Sequence, residues 1–345
     1  MQWLSLYQFD YLSIFAFIFI TINIYTFFLY AHDKRKAIKN NRRTKEKILL
    51  FWTVFLGGIG STIAMHLFKH KRQKRKFKIY RNIGFTFAII ILIHIIEGFT
   101  LGRSVQFVEI DFYSVNWPEE LDGYRIAFMT DMHTISDNDM ASIAKELSNR
   151  NLDLVLLGGD FADPMRRGNH YQGTIREIGK IQTRDGIFGV DGNHDKHYSL
   201  FIHMQYNNIT PLDNTGILIR PGFYLSGVQD LFTRKPDIQA AIANASNDDF
   251  IILLSHHPDV SMQQSTAQID LIIAGHTHGG QITFFGFPLI LLTDLVTNYQ
   301  LRFSHGFNTT KDGIPIFTSR GGGPYYNWPR IFARPEIIIF TLWNN

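Results

Sequence analysis

The chain has 345 residues, of which 45% are hydrophobic and 14% aromatic; it carries a formal net charge of +4 and contains no cysteine. Without cysteine there is neither a disulfide nor a thiolate metal site, and the length suffices for two domains of ordinary size. The basic excess is local: 16 of the 34 lysines and arginines lie in residues 32–47 and 69–81, so the rest of the chain is not basic.

In chain order, residues 11–31 form a nearly uncharged apolar run of about 21 residues, long enough to cross a bilayer as a helix. No small-residue cleavage site follows it, which predicts a retained anchor rather than a removed signal peptide. A second apolar stretch, residues 48–68, is interrupted by Gly57, Gly58 and Gly60, and a third covers residues 83–101. The two basic loops flanking the second stretch are both expected on the cytoplasmic side. That requires the stretch between them to be re-entrant, which its glycines permit where protein covers the backbone. The third stretch then exits outward. Residues 1–102 are therefore expected to be a multi-pass membrane domain with two or three apolar segments in the cell membrane, delivering the following domain to the outer face. Clustered Lys and Arg also suit nucleic acid. Beside apolar spans, however, they read as topology determinants and contacts to anionic lipid, and no nucleic-acid partner is expected.

Residues 103–122 read as a linker, within which residues 104–110 alternate like an entering strand. From residue 123 to 345 the pattern is α/β. Continuous apolar runs at 126–129, 154–157, 187–190, 251–254 and 271–274 suit strands buried on both faces, and 138–149 and 237–244 read as helices. Each apolar run is followed directly by polar, metal-competent residues. They are Asp131 and His133, Asp160, Asn193 with His194 and Asp195, His256 with His257, and His276 with His278.

Two divalent ions roughly 3.5–4 Å apart need a small anionic bridge, and a carboxylate such as Asp160 can hold one ion with each oxygen. Carboxylate, imidazole and amide donors from Asp131, His133, Asn193, His256, His276 and His278 suit Mn, Fe or Zn and disfavour copper(I). Glycines beside Asp160, Asn193 and His276 let backbone approach a crowded centre. His194 follows the amide ligand directly, where an imidazolium can donate a proton to a leaving group. Asp195 reads as a partner orienting a histidine, and Arg320, in a glycine-rich loop, as either a phosphate clamp or a solvated turn residue.

These five blocks, in order, resemble the calcineurin-like metallophosphoesterases, whose pattern is D-x-H, G-D, G-N-H-D/E, H and G-H-x-H. The likeness covers about residues 122–342 and is closest to a bacterial membrane-associated subgroup with an extended G-H-T-H-G-G-Q block, here residues 275–281. Further matches are residues 255–259, 319–323 and 334–336. The resemblance implies a two-sheet α/β sandwich with metals at its rim. One ion would be held by Asp131, His133, Asp160 and His278, and the other by Asp160, Asn193, His256 and His276, with His194 as the acid; it favours His256 over the adjacent His257. The first block departs from the family, with Thr130 before Asp131 and Thr134 and Ile135 in place of the usual residues after His133, which puts the loop shape in question rather than the ligands. Residues 30–34, 57–58 and 68–71 also resemble a small uncharacterised bacterial membrane domain, a likeness that implies no activity.

The expected function is a membrane-anchored hydrolase acting on a phosphodiester or pyrophosphate through a water acidified between two ions. The expected partners are a phosphate-containing small molecule or phospholipid and the membrane. Residues 284–292 are unusually apolar beside a polar site and read either as a surface at its mouth or as a buried strand. With the anchor, they point to a lipid-linked substrate. Relatives in the subgroup that cleave UDP-diacylglucosamine work on the cytoplasmic face, at odds with the outward orientation. A non-catalytic metal-binding membrane sensor or scaffold is the alternative.

Overall fold

Long runs of apolar sequence become helices in the first hundred residues, and short ones become buried strands thereafter. The computed structural model describes residues 11–133, 135–162, 171–288, 303–323 and 328–345. The chain divides into two units, Met1–Thr100 and Leu101–Asn345.

The first unit contains α1 (Tyr11–Ile38), α2 (Glu46–Val54), α3 (Gly58–Leu67) and α4 (Arg75–Phe99). Two helical segments, Leu12–Ile38 and Arg75–Arg103, are long and apolar enough to cross a membrane. The middle stretch is different. At 9 and 10 residues, α2 and α3 each rise only about 15 Å, half of a hydrocarbon core of about 30 Å. The chain breaks between them, and Asn23 of α1 fills the break: its Nδ2 donates to Leu56 O at 2.8 Å and its Oδ1 accepts from Gly60 N at 2.9 Å. Gly58 and Gly84 let α3 and α4 touch backbone to backbone, since a Cβ on Gly58 would strike the Gly84 carbonyl.

The opposite end of this hairpin is ionic. Buried Asp33 meets Arg43 NH2 at 3.0 Å and accepts from Thr44 N at 2.9 Å, both from the first basic loop. From the second basic loop it meets His70 Nε2 at 2.8 Å and Lys71 Nζ at 3.4 Å. Both loops therefore lie at the same end of the unit.

The second unit begins with β1 (Gln106–Tyr113), followed by β2 (Tyr124–Met129), α5 (Asp137–Ser148), β3 (Leu154–Leu157), α6 (Gln172–Ile178), β4 (Ile187–Gly189), α7 (His197–Tyr206) and β5 (Ile209–Pro211). It continues with β6 (Thr215–Arg220), β7 (Phe223–Gly227), α8 (Ile238–Ile242), β8 (Phe250–Ser255), α9 (Val260–Gln263) and β9 (Leu271–Ala274). Last come β10 (Thr283–Phe284), β11 (Phe287–Pro288), β12 (Gly306–Thr309), β13 (Pro315–Thr318) and β14 (Glu336–Trp343). Two six-stranded sheets, ordered β1-β14-β2-β3-β4-β5 and β12-β13-β9-β8-β7-β6, face each other. Phe128, Leu156 and Phe340 of the first interdigitate with Leu225, Ile252 and Phe317 of the second. Helices α5, α6 and α7 cover the outer face of the first sheet, and α8 and α9 that of the second. This is an α/β sandwich of two sheets, and it explains the continuous apolar runs: each central strand is buried on both faces.

Within residues 103–122, where the sequence alternates like an entering strand, lies β1, which pairs in parallel with β14 from Gln106↔Glu336 to Tyr113↔Trp343. Its alternating sequence reflects an edge strand with one face packed. The strands that precede the polar blocks, β2, β3 and β4 in one sheet and β8 and β9 in the other, run parallel within each sheet. Their C-terminal ends therefore share one rim of each sheet, as ligand-bearing loops do in parallel sheets.

Candidate metal centre

Three of the five polar blocks leave their strands through left-handed residues. Asp131 (φ 53°), His133 (φ 30°), Asp160 (φ 57°), His276 (φ 71°) and His278 (φ 52°) all have positive φ without being glycine. Such conformations cost on the order of 1–3 kcal/mol each and persist only where surrounding structure enforces them. Here main-chain bonds do so: Asp131 N donates to Gly159 O at 2.9 Å, His133 N to Asp160 O at 3.2 Å and Gly275 N to His256 O at 3.0 Å. The loops are also crowded, for a Cβ on Gly275 would strike the Thr130 hydroxyl and one on Gly192 the Asp160 carboxylate.

Buried Asp160 lies at the centre. Its Oδ2 is 3.6 Å from His133 Nε2 and 3.3 Å from His256 Nε2, while its Oδ1 accepts from His194 N at 2.9 Å. One oxygen therefore faces both donor sets and the other accepts from backbone. Burial would raise the Asp160 pKa, but His256 and His133 hold it well below the usual carboxylate range.

On one side stand Asp131, His133 and His278. His133 Nδ1 lies 2.8 Å from Ala162 O, the geometry of a donated N–H, which leaves Nε2 as a lone pair 3.3 Å from His278 Nε2. Asp131 Oδ2 accepts from the Thr130 hydroxyl at 2.8 Å and from His276 N at 2.9 Å. Its Oδ1 is buried, has no hydrogen-bond partner among the described residues and faces His278 Nε2 at 3.4 Å. On the other side, His256 Nδ1 lies 2.7 Å from Gly158 O. Its Nε2 looks toward Asn193 Oδ1 at 3.1 Å, His276 Nδ1 at 3.1 Å and Asp160 Oδ2 at 3.3 Å. A single proton on that nitrogen can satisfy only one of three electron-rich neighbours, whereas a cation satisfies all. Burial disfavours the charged imidazole, yet Asp160 and Asp131 pull the His256 pKa well above its ordinary value. Orphaned anion, converging lone pairs and cation-seeking imidazole together fit divalent metal on both sides of Asp160.

Other expected residues find specific places. His194 stands with its ring centroid 5.6 Å from that of His133, and burial lowers its pKa against the opposing pull of Asp160. His257 Nε2 is 3.1 Å from Asp230 Oδ1 and its ring packs 3.5 Å from that of His276, so that His256, His257 and His276 also bring ligand atoms within 4.8 Å of one another. The hydrogen bonds of Asp195 among the described residues come from backbone and not from a histidine ring. Asp195 accepts from the backbone N–H groups of Asp160, Phe161, Ala162 and Gly192 at 2.7–3.0 Å, clamping two ligand loops together. Arg320 pairs with Glu336 at 3.2 Å rather than reaching across the centre. Its glycine-rich loop backs the first block, with Gly322 N and Gly323 N donating to Thr130 O and Asp131 O. Thr134 lies outside the described residues.

Sequence reasoning missed Arg330, which is 1% exposed and reaches His278 Nδ1 with NH2 at 2.9 Å. It also missed Phe232, whose ring covers His257 and His276 at 3.9 and 5.4 Å. Neither has a spacing signature; each is a single residue in a loop remote in sequence from the blocks.

Residues 124–280 match the family described as calcineurin-like phosphoesterase, and residues 23–77 match one described as a protein of unknown function, DUF1294. The protein YpbG of Bacillus subtilis is 30% identical over 231 residues, 63% of this chain and 80% of that protein. The chain belongs to the calcineurin-like metallophosphoesterases. An uncharacterized metallophosphoesterase of Helicobacter pylori is 28% identical to it over 306 residues, 85% of this chain and 78% of the relative. A protein of Danio rerio named transmembrane protein with metallophosphoesterase domain is 26% identical over 283 residues, 74% of this chain and 62% of that protein. In this metallophosphoesterase the family match ends just past His278, so Arg330 reaches the His278 ring from sequence beyond it.

Proposed function

We propose that this metallophosphoesterase is membrane-anchored and uses two divalent ions, of Mn, Fe or Zn, to hydrolyse a phosphodiester or pyrophosphate bond in a lipid-linked substrate. The observation that carries the dinuclear reading is Asp160 Oδ2, placed 3.6 and 3.3 Å from imidazole nitrogens of two separate donor sets. On this reading Asp131, His133 and His278 hold one ion, and Asn193, His256 and His276 the other, with Asp160 shared. Bound there, the ions would supply positive charge to the phosphoryl oxygens and acidify the attacking water. His194, fixed through its backbone N–H on Asp160, protonates the leaving oxygen from the edge of the centre. Asp195 keeps the two central loops in register, and Arg330 holds the His278 ring.

Anchoring is supported by the two long apolar helices. The outward orientation is supported by the Asp33 cluster, which ties both basic loops to one end, and by α2 and α3, each too short to cross. The test is turnover of bis-p-nitrophenyl phosphate by the purified full chain with Mn(II), then product analysis by mass spectrometry over a panel of lipid phosphates. A chain that binds two ions yet hydrolyses none of these would favour the sensor or scaffold alternative.

A further inference from the structure

We infer that the β10–β11 hairpin docks into the bilayer interface and sets the metal centre at the level of lipid headgroups; the inference rests on the anchored-enzyme reading above. Phe284, Phe285 and Phe287 crowd the tip of this hairpin and are 51%, 44% and 76% exposed. Scattered exposed apolar residues are ordinary, but three phenylalanines within four positions form a patch that calls for an occupant. The described part of the 284–292 segment is thus a surface and not a buried strand; residues 289–292 lie outside the described residues.

The occupant follows from where the hairpin is attached. It begins five residues after His278 and is stitched to the segment that carries Arg330. Thr283 N donates to Ile331 O at 3.0 Å, Ile331 N to Gln281 O at 2.9 Å, and the Phe285 ring lies 5.2 Å from that of Phe332. The same segment touches the start of the second unit, because a Cβ on Gly102 would strike the Arg330 carbonyl. Gly102 is three residues past Phe99, the last residue of α4. At most about 3.5 Å per residue, the chain leaving the apolar helix has roughly 10 Å in which to reach the backbone of a residue whose guanidinium touches His278. The second unit thus begins, three residues after the apolar helix ends, against the segment that carries Arg330 and is stitched to the aromatic tip. The far end of β1 is remote from it: the strand has 8 residues, about 26 Å at 3.3 Å each. Aromatic side chains at a membrane-proximal mouth suit the headgroup–acyl boundary, and the substrate class that fits is a phosphate ester or anhydride of a membrane lipid taken from that layer.

The chain has no cysteine, so a single introduced thiol is unique. Phe287→Cys in the full chain, labelled with a nitrobenzoxadiazole dye and reconstituted in phosphatidylglycerol/phosphatidylcholine nanodiscs, reads the surroundings of the tip. Val115→Cys, at a residue 73% exposed just beyond β1, is the reference. Lipids spin-labelled near the top of the acyl chain should quench the dye at position 287 several-fold more strongly than at 115, and aqueous iodide should show the reverse order. Equal lipid quenching at both positions overturns docking, as does shielding of 287 from iodide without lipid quenching, which indicates a protein occupant such as a second copy. Phe284→Cys repeats the measurement should the first variant fold poorly. Turnover of bis-p-nitrophenyl phosphate by the unsubstituted chain is read separately. Quenching without turnover sustains docking and counts against the hydrolase reading, and turnover without quenching does the opposite.

Discussion

Arg330 holds His278 from behind: its NH2 lies 2.9 Å from Nδ1, on the side of the ring away from Asp131 and His133. The same guanidinium donates to the carbonyls of Gly323, Ala333 and Arg320. It therefore fixes the loop closing over the first block and, facing Nδ1 with donors only, sets the proton of a neutral His278 ring on Nε2, where an ion would displace it. Buried carbonyls stripped of their donor cost about 1–3 kcal/mol each. Arg330→Met is expected to destabilise the second unit by about 3 kcal/mol or more, lowering the melting temperature by roughly 6–12 °C at 2–4 °C per kcal/mol for a domain of this size. Metal content should fall with it. Thermal unfolding and elemental analysis check both, and an unchanged melting temperature would show that the carbonyls find other donors.

Asp160 Oδ2 lies 3.6 and 3.3 Å from imidazoles of the two donor sets, and on the proposed reading it is their shared anion. Asp160→Asn keeps the shape, removes the charge and presents an amide in its place. Bound metal should drop from about two ions per chain, and turnover should vanish. Elemental analysis finding two tightly held ions in this variant would remove Asp160 from the bridging position.

His194 donates its backbone N–H to Asp160 Oδ1 at 2.9 Å. Replacing the side chain leaves that bond in place. His194→Ala should keep both ions and lose turnover by roughly 10²–10⁴-fold, the range of general acid–base catalysis. For a p-nitrophenyl ester, whose leaving group needs no proton, the loss should be much smaller. Equal losses for p-nitrophenyl and alkyl esters would argue against proton donation by this residue.

How much of this was legible in the sequence differs by kind of information. Runs such as residues 154–157 announce a strand because burial on both faces leaves no polar position, and β3 is Leu154–Leu157. The break in the second apolar stretch was visible in Gly57, Gly58 and Gly60. Its partner Asn23 was not, since a lone asparagine in an apolar helix says nothing about what it faces. Asp131, Asp160 and His276 were legible as chemistry, but their left-handed backbones were not, because Asp and His tolerate that region without any sequence mark. The role of Asp195 was misjudged because its four partners are backbone N–H groups, which no residue type reveals. Arg330 and the pairing partner of β1 were missed for a third reason. Arg330 meets a histidine 52 positions away, and β1 pairs with a strand near the other end of the chain. Local pattern carries neither pairing.

Orientation is the prediction with the widest consequence. Asp33 gathers Arg43, His70 and Lys71 around one buried carboxylate, so the loops at residues 32–47 and 69–81 share one face. Sixteen lysines and arginines lie in those loops, and such an excess stays in the cytoplasm. On the outward reading, α2 and α3 enter and leave on that face and α4 carries the second unit outward. Alkaline phosphatase fused after Asn345 should then be active, and green fluorescent protein at the same place should be dim. Single cysteines at positions 39 and 76 should both be shielded from an impermeant maleimide in intact cells. The reverse fusion result, with bright fluorescence and no phosphatase activity, would place the metal centre in the cytoplasm. A nucleotide-linked lipid would then become the leading substrate, because nucleotide-activated precursors are found on that side.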